Sequence, residues 1–253
     1  MIILHSSINM SELEDGSIGA VITSPPYPMI KKWDSIFEQQ IIGSPKIRYD
    51  GSGPYFIYRA QLEILRRTWA ECFRVLVPGG IMAINIGDAT RTIDKEFWCY
   101  PNYAWTTTHC QELGFIPLIP ILWKKISNRP NAFLGSGFQP VNAYVSQDCE
   151  YIGIFRKGRN RTFAGEEKER RKRSSFTKEE RDDWFQQIWT GIPGARGSKS
   201  SSSWNMTIPY RLMRMYSIIG DAILDPFCGK VGGKEFEKMC IEWGRSFVGY
   251  TLP

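Results

Sequence analysis

Apolar residues run unbroken through Ile18-Gly19-Ala20-Val21-Ile22 and stop at Thr23-Ser24-Pro25-Pro26-Tyr27. That is the pattern of a strand buried on both faces that opens into a stiff loop. Residues 2 to 4 predict a shorter buried strand, separated from the first by the polar turn at 11 to 16. From Phe56 to Leu76 the apolar positions Leu62, Leu65, Trp69, Phe73 and Leu76 recur at three- and four-residue spacing, which predicts an amphipathic helix closed by Pro78-Gly79-Gly80. A buried strand over 81 to 86 follows and ends at Gly87-Asp88. The alternation continues with a helix near 102 to 113 and strands over 119 to 123 and 151 to 155. Beyond Phe155 the pattern predicts a helix from Thr177 to Trp189, a Gly/Ser-rich stretch to Ser203 and a helix over 209 to 219. A strand at 222 to 224, a helix near 234 to 243 and a strand at 247 to 250 complete the chain. Strand, helix and strand in succession predict an α/β fold, a mostly parallel sheet with helices on both faces.

At 253 residues the chain suits one such core with an insertion. The insertion is placed at 156 to 203, where Arg156 to Arg173 holds nine Lys/Arg against three Glu and carries a charge equal to the +6 of the whole chain. A basic balance favours polyanion partners, although a mixed charge run is also an ordinary solvated helix face. Six scattered cysteines without a C-x-x-C pair, and only two histidines, indicate neither a zinc site nor a disulfide framework. With no leader-like segment and no apolar run of 18 residues, the expectation is a cytoplasmic protein that does not enter a membrane.

The chemistry is concentrated at residues 24 to 27. Consecutive prolines hold Ser24 and Pro25 extended and contribute no N–H, so the Ser24 hydroxyl and the Ser24 and Pro25 carbonyls form a fixed set of acceptors beside the Tyr27 ring. Such a site suits a flat ring bearing an exocyclic amine, which cytosine and adenine both have, while a lone Ser-Pro-Pro-Tyr run is equally the composition of a proline-rich surface turn.

Together with Val77-Pro-Gly-Gly80, Asn85-Ile-Gly-Asp88, Trp123-Lys124, Glu150-Tyr-Ile-Gly-Ile-Phe155 and Asp225-Pro-Phe-Cys-Gly229, the Thr23-Ser-Pro-Pro-Tyr27 run resembles the amino-group DNA methyltransferases over nearly the whole chain. The resemblance implies a Rossmann-like S-adenosylmethionine-dependent fold in the permuted, beta-type order. Residues 1 to 155 would form the catalytic part, 156 to 203 the target-recognition segment, and 204 to 253 the cofactor-binding part of the same core. In that family the serine form of the tetrapeptide goes with N4-cytosine methylation in restriction-modification systems, and Asp or Asn forms go with N6-adenine. The implied roles are amine binding by Ser24, Pro25 and Pro26, stacking of Tyr27 on a flipped base, and cofactor binding by Asp225, Pro226, Phe227, Gly229 and Pro209. Double-stranded DNA is the implied partner, with a cognate endonuclease and a homodimer compatible with it, and DNA binding would associate the protein with the nucleoid. One of Asn85 and Asp88 would orient Ser24 or take up the proton, and for each the other reading is a helix cap or turn residue. Trp123 is either a wall of the base pocket or a core residue. Arg170, Arg171, Lys172 and Arg173 would contact phosphates. Three departures weaken the implied cofactor contacts: Val231 replaces a glycine, Thr251 an acidic residue, and Ser6-Ser7 a Gly-Asp pair. They keep open a DNA-binding relative with impaired cofactor binding, besides the N6-adenine enzyme.

Overall fold

The computed structural model describes residues 1–42, 53–126, 134–194 and 205–252. Its strands and helices follow in chain order. β1 (Ile2–Ile3) and β2 (Ile18–Thr23) come first, then α1 (Asp34–Ile42) and α2 (Pro54–Val75). β3 (Leu76–Ile86) leads to the hairpin of β4 (Ala89–Ile93) and β5 (Glu96–Tyr100), α3 (Asn102–Glu112), β6 (Phe115–Pro117) and β7 (Ile121–Lys124). A small hairpin of β8 (Leu134–Gly135) and β9 (Ala143–Tyr144) precedes β10 (Cys149–Lys157), α4 (Gly165–Arg173), α5 (Lys178–Trp184) and β11 (Ile188–Trp189). α6 (Thr207–Tyr216), β12 (Ala222–Asp225), α7 (Lys230–Glu242) and β13 (Ser246–Tyr250) close the fold.

The main sheet runs β1-β13-β12-β2-β3-β10-β7-β11, with β6 also paired to β10. Its pairs are parallel except those made by β10, which lies antiparallel to β3, β6 and β7. The strands from the carboxyl end thus sit between β1 and β2, so the first and last parts of the chain build one core. α2 packs its apolar stripe, with Trp69 and Leu65, on one face. α6 and α7 cover the other through Leu212, Met213 and Phe236. Pro54 occupies the first turn of α2, where its missing N–H costs nothing.

Direction decides what reaches the site. β12, β2, β3 and β7 all end at one edge of the sheet, and β10, running the other way, begins there with Cys149 and Glu150.

One expectation is corrected here. The helix expected to reach Trp189 ends at Trp184, because Ile188 and Trp189 pair in parallel with Leu122 and Trp123 and extend the sheet. The basic segment, expected as an insertion outside the core, packs with its Lys157, Arg161 and Ser174 at the strand-start edge. There Lys157 Nζ donates to the Leu76 carbonyl at 2.7 Å, and the Arg161 guanidinium holds both oxygens of Asp221 at 2.9 and 3.0 Å. Ser174 Oγ accepts the Ile219 N–H at 2.8 Å. Gly79 sits so close that a Cβ on it would stand 2.3 Å from the Arg161 nitrogen. The six residues of β2 separate that edge from Ser24 by about 20 Å.

Candidate active site

The buried strand β2 delivers Thr23 to the edge of the sheet and releases the chain into Ser24-Pro25-Pro26-Tyr27, with both prolines buried. Thr23 Oγ1 donates to Asp225 Oδ1 at 2.6 Å, joining this loop to the turn that follows β12. Burial pushes the Asp225 carboxyl up to about 7, against the lowering effect of the Thr23 hydroxyl and the Phe227 N–H. Asn102 Nδ2 donates to the carbonyls of Pro28 and Gly87, at 3.1 and 3.0 Å, and so pins the loops after β2 and β3 together.

Around Tyr27 the side chains form a closed network. Ser24 Oγ lies 3.3 Å from the Tyr27 hydroxyl, which donates to Glu150 Oε2 at 2.8 Å. Asn85 Nδ2 donates to the Tyr27 oxygen at 2.8 Å and to Glu150 Oε2 at 2.7 Å. Lys125 pairs with the other oxygen of Glu150. Burial and the neighbouring carboxylate raise the Tyr27 phenol well above its ordinary value, so it remains a neutral hydroxyl.

Asn85 therefore acts on Tyr27 and Glu150 and makes no described bond to Ser24. Asp88 takes the turn-capping reading: its Oδ1 accepts the Tyr103 N–H at 3.0 Å, in the first turn of α3, where N–H groups lack helical partners. Trp123 is a core residue, buried among apolar side chains with its indole N–H on the Ile192 carbonyl at 3.0 Å. Glu150 and Lys125 had been given no role from sequence. The available signal was an acidic residue opening the apolar run to Phe155, since a charge in such a run is buried only when paired.

On the cofactor side, Asp225 Oδ1 accepts the Phe227 N–H at 3.0 Å and the Cys228 N–H bonds to the Tyr250 carbonyl at 3.0 Å, which shapes a tight turn after β12. Phe227 is half-buried against Trp69, with ring centroids 5.9 Å apart. Gly229 has φ 62° with no atom near where a Cβ would lie, and α7 begins at once without a side-chain cap. This leaves backbone N–H groups free beside an open surface, a fit for the carboxylate end of S-adenosylmethionine. Val231 is exposed and does not fill the turn. Two expected contacts are displaced: Ser7 is buried with its hydroxyl 3.4 Å from that of Thr68, and Thr251 Oγ1 donates to the Leu252 carbonyl. Pro209 is buried in the first turn of α6. Among the described residues no cluster of His, Cys, Asp and Glu suits a metal ion.

Residues 18–252 match the DNA methylase model of the N6/N4 family. The chain is 44% identical to the type II methyltransferase M.MjaI of Methanocaldococcus jannaschii, over 99% of this chain and 86% of that protein. It is 41% identical to the type II methyltransferase M.MthZI of Methanothermobacter thermautotrophicus, over 99% and 72%. Among solved structures, a Thermus thermophilus protein described as a putative DNA modification methylase, in complex with S-adenosyl-L-methionine, superposes with a TM-score of 0.77 at 29% identity, covering 100% of this chain and 89% of that one. The cytosine-N4-specific PvuII DNA methyltransferase shares the fold, with a TM-score of 0.67 at 12% identity over 100% and 81%. The architecture and site thus define a Rossmann-like S-adenosylmethionine-dependent methyltransferase. The chain belongs to the N6/N4 DNA methylase family.

Proposed function

We propose that the chain methylates the exocyclic N4 amine of a cytosine flipped out of duplex DNA, as the modifying member of a restriction-modification pair. The observation that supports cytosine is the serine at the head of the tetrapeptide, with its hydroxyl 3.3 Å from Tyr27. A cytosine amine is a poor nucleophile because its lone pair is delocalised into the ring. Accepting its two N–H bonds at Ser24 Oγ and at the carbonyl of Ser24 or Pro25 favours a pyramidal nitrogen with its lone pair free to react. Tyr27, tethered through its hydroxyl, offers a fixed ring face for stacking, which offsets an unstacking cost of about a few kcal/mol. S-adenosylmethionine supplies the electrophilic methyl group. Phe227, Gly229 and the first turn of α7 are the residues placed to hold it, and Asp225 shapes their turn.

We place the DNA along the edge where β2, β3 and β7 end. Lys31, Lys32 and Lys124 are exposed there. Trp98 and Phe138, 52% and 87% exposed, belong to the two hairpins, which are joined by stacking of Phe97 on Tyr144 at 4.8 Å. A hollow of about 510 Å³ lined by Met29, Lys31, Asp88, Thr90, Arg91 and Gln147 has room for a nucleotide next to the target. Arg170, Arg171, Lys172 and Arg173 are left out of this interface, because α4 packs at the opposite edge. Mass spectrometry of nucleosides from DNA incubated with the protein and S-adenosylmethionine tests the reading. N4-methylcytosine is expected, and N6-methyladenine alone would replace cytosine with adenine.

A further inference from the structure

Methyl transfer leaves a surplus proton. The amine lone pair becomes the new N–C bond, the S–C pair stays on sulfur, and one N–H proton must depart from the methylated nitrogen. Glu150 lies beneath Tyr27, with its side chain only 10% exposed, at the antiparallel start of β10. Its carboxylate receives the Tyr27 hydroxyl, the Asn85 amide and the Lys125 ammonium. Three donors converge on it and, as a carboxylate, it can only accept.

That convergence settles the direction of the whole chain. Because the Tyr27 hydrogen goes to Glu150, the Tyr27 oxygen is left as an acceptor, and it takes one N–H from Asn85. Its remaining lone pair receives the Ser24 hydroxyl hydrogen across 3.3 Å. The lone pairs of Ser24 Oγ are then turned outward, toward an incoming N–H. A neutral serine hydroxyl with no such chain behind it could rotate and present its hydrogen instead.

From this geometry we infer that Glu150 is a positioning residue that polarises the Ser24–Tyr27 chain and receives the proton released by methylation. The amine proton passes to Ser24 Oγ, the Ser24 proton to the Tyr27 oxygen, and the Tyr27 proton to Glu150 Oε2. Each oxygen gains one proton and gives one up, so only the carboxylate ends changed. Lys125, whose side chain is 36% exposed, holds the other oxygen of the carboxylate at the rim of the site, and Glu150 gives its proton up to solvent after transfer. The charged and titratable groups facing Glu150 are Tyr27, Lys125 and, from the turn before α1, Lys32, which its carboxylate attracts. The inference rests on the assignment of the amine to Ser24.

Single-turnover methylation should be measured from pH 5 to 9 for the parent, Glu150→Gln, Glu150→Asp, Tyr27→Phe, the Glu150→Gln/Tyr27→Phe pair and Ser24→Ala. Fluorescence of 2-aminopurine at the target position should report base flipping in the same variants. Glu150→Gln is expected to slow transfer about 100-fold across the pH range. It should leave DNA affinity and the flipping signal within about threefold of the parent, a scale set by the coupling of contacting residues. Tyr27→Phe should lose a comparable factor, the pair should lose no more than either alone, and Glu150→Asp should restore part of the rate. A Glu150→Gln rate within tenfold of the parent at all pH values would overturn the proposal. So would a loss that tracks a lost flipping signal. Ser24→Ala separates the two claims: if it alone is without effect, the amine assignment fails whatever Glu150 does.

Discussion

Thr23 and Asp225, 202 positions apart in the chain, meet at 2.6 Å through a buried hydroxyl-to-carboxylate bond that joins the catalytic loop to the cofactor turn. The Asp225 carboxyl, raised by burial from an ordinary 3.8 to about 7, retains a proton in the folded chain that the unfolded chain would release. Its contribution to stability is complete below pH 3.8 and is lost as pH rises through 7, with a slope of about 1.4 kcal/mol per pH unit between. Denaturant titrations from pH 4 to 8 should show this slope in the parent and its absence in Asp225→Asn. Thr23→Val, which removes the donor, should cost about 1 to 3 kcal/mol at pH 8, where the carboxylate is ionised.

Ser24→Ala should lower the single-turnover rate at least about 100-fold, roughly 2.7 kcal/mol in the barrier, while S-adenosylmethionine affinity stays nearly constant. The neighbour of Ser24 Oγ is Tyr27 and not the cofactor turn, so rate and affinity should separate.

Salt dependence of DNA binding distinguishes the two edges of the sheet. Replacing Lys31, Lys32 and Lys124 with Gln should reduce the slope of log K against log salt by about 0.9 for each phosphate no longer neutralised. The same change at Arg171, Lys172 and Arg173 should leave the slope nearly unaltered, since α4 is fastened to the strand-start edge by Ser174 and the Ile219 N–H. A larger effect from the arginine set would move the DNA to that edge.

At the end of β13, Thr251 offers a neutral hydroxyl that is engaged with Leu252, where the family resemblance implies an acid for the ribose hydroxyls. Thr251→Asp should tighten S-adenosylmethionine binding about tenfold or more, since a charged acceptor contributes about 1.5 to 3 kcal/mol. Isothermal titration without DNA checks it, and an unchanged constant would mean that other groups already satisfy the ribose.

Where a signal was local, the sequence could be read closely. The helical spacing of Leu62, Leu65 and Trp69 became α2, and the apolar run from Ile18 placed Ser24 at a strand end. What depended on the direction of a strand could not be read. Nothing in Glu150-Tyr-Ile-Gly-Ile-Phe155 says that β10 runs against its neighbours, and only that reversal brings Glu150 under Tyr27. The same reversal carries Arg156 and the basic run to the far edge, which charge counting alone could not foresee. Ile188 and Trp189 looked helical because an edge strand two residues long leaves no periodicity to detect. For Asp88 the sequence left a catalytic role and a turn cap both open, and the N–H groups in the first turn of α3 claim its carboxylate.

The stretch from Lys125 to Asp148 leaves the sheet beside Trp123 and returns to it one strand away at Cys149, so both its stems stand on the same rim. It behaves as a socket in the frame. The described part of that connection carries the β8–β9 hairpin, held against the β4–β5 hairpin by the stacking of Phe97 on Tyr144. On the DNA placement proposed above, exchanging the β8–β9 hairpin while keeping Lys125 is expected to change which sequence is addressed and to leave the Ser24–Tyr27–Glu150 chain as it is.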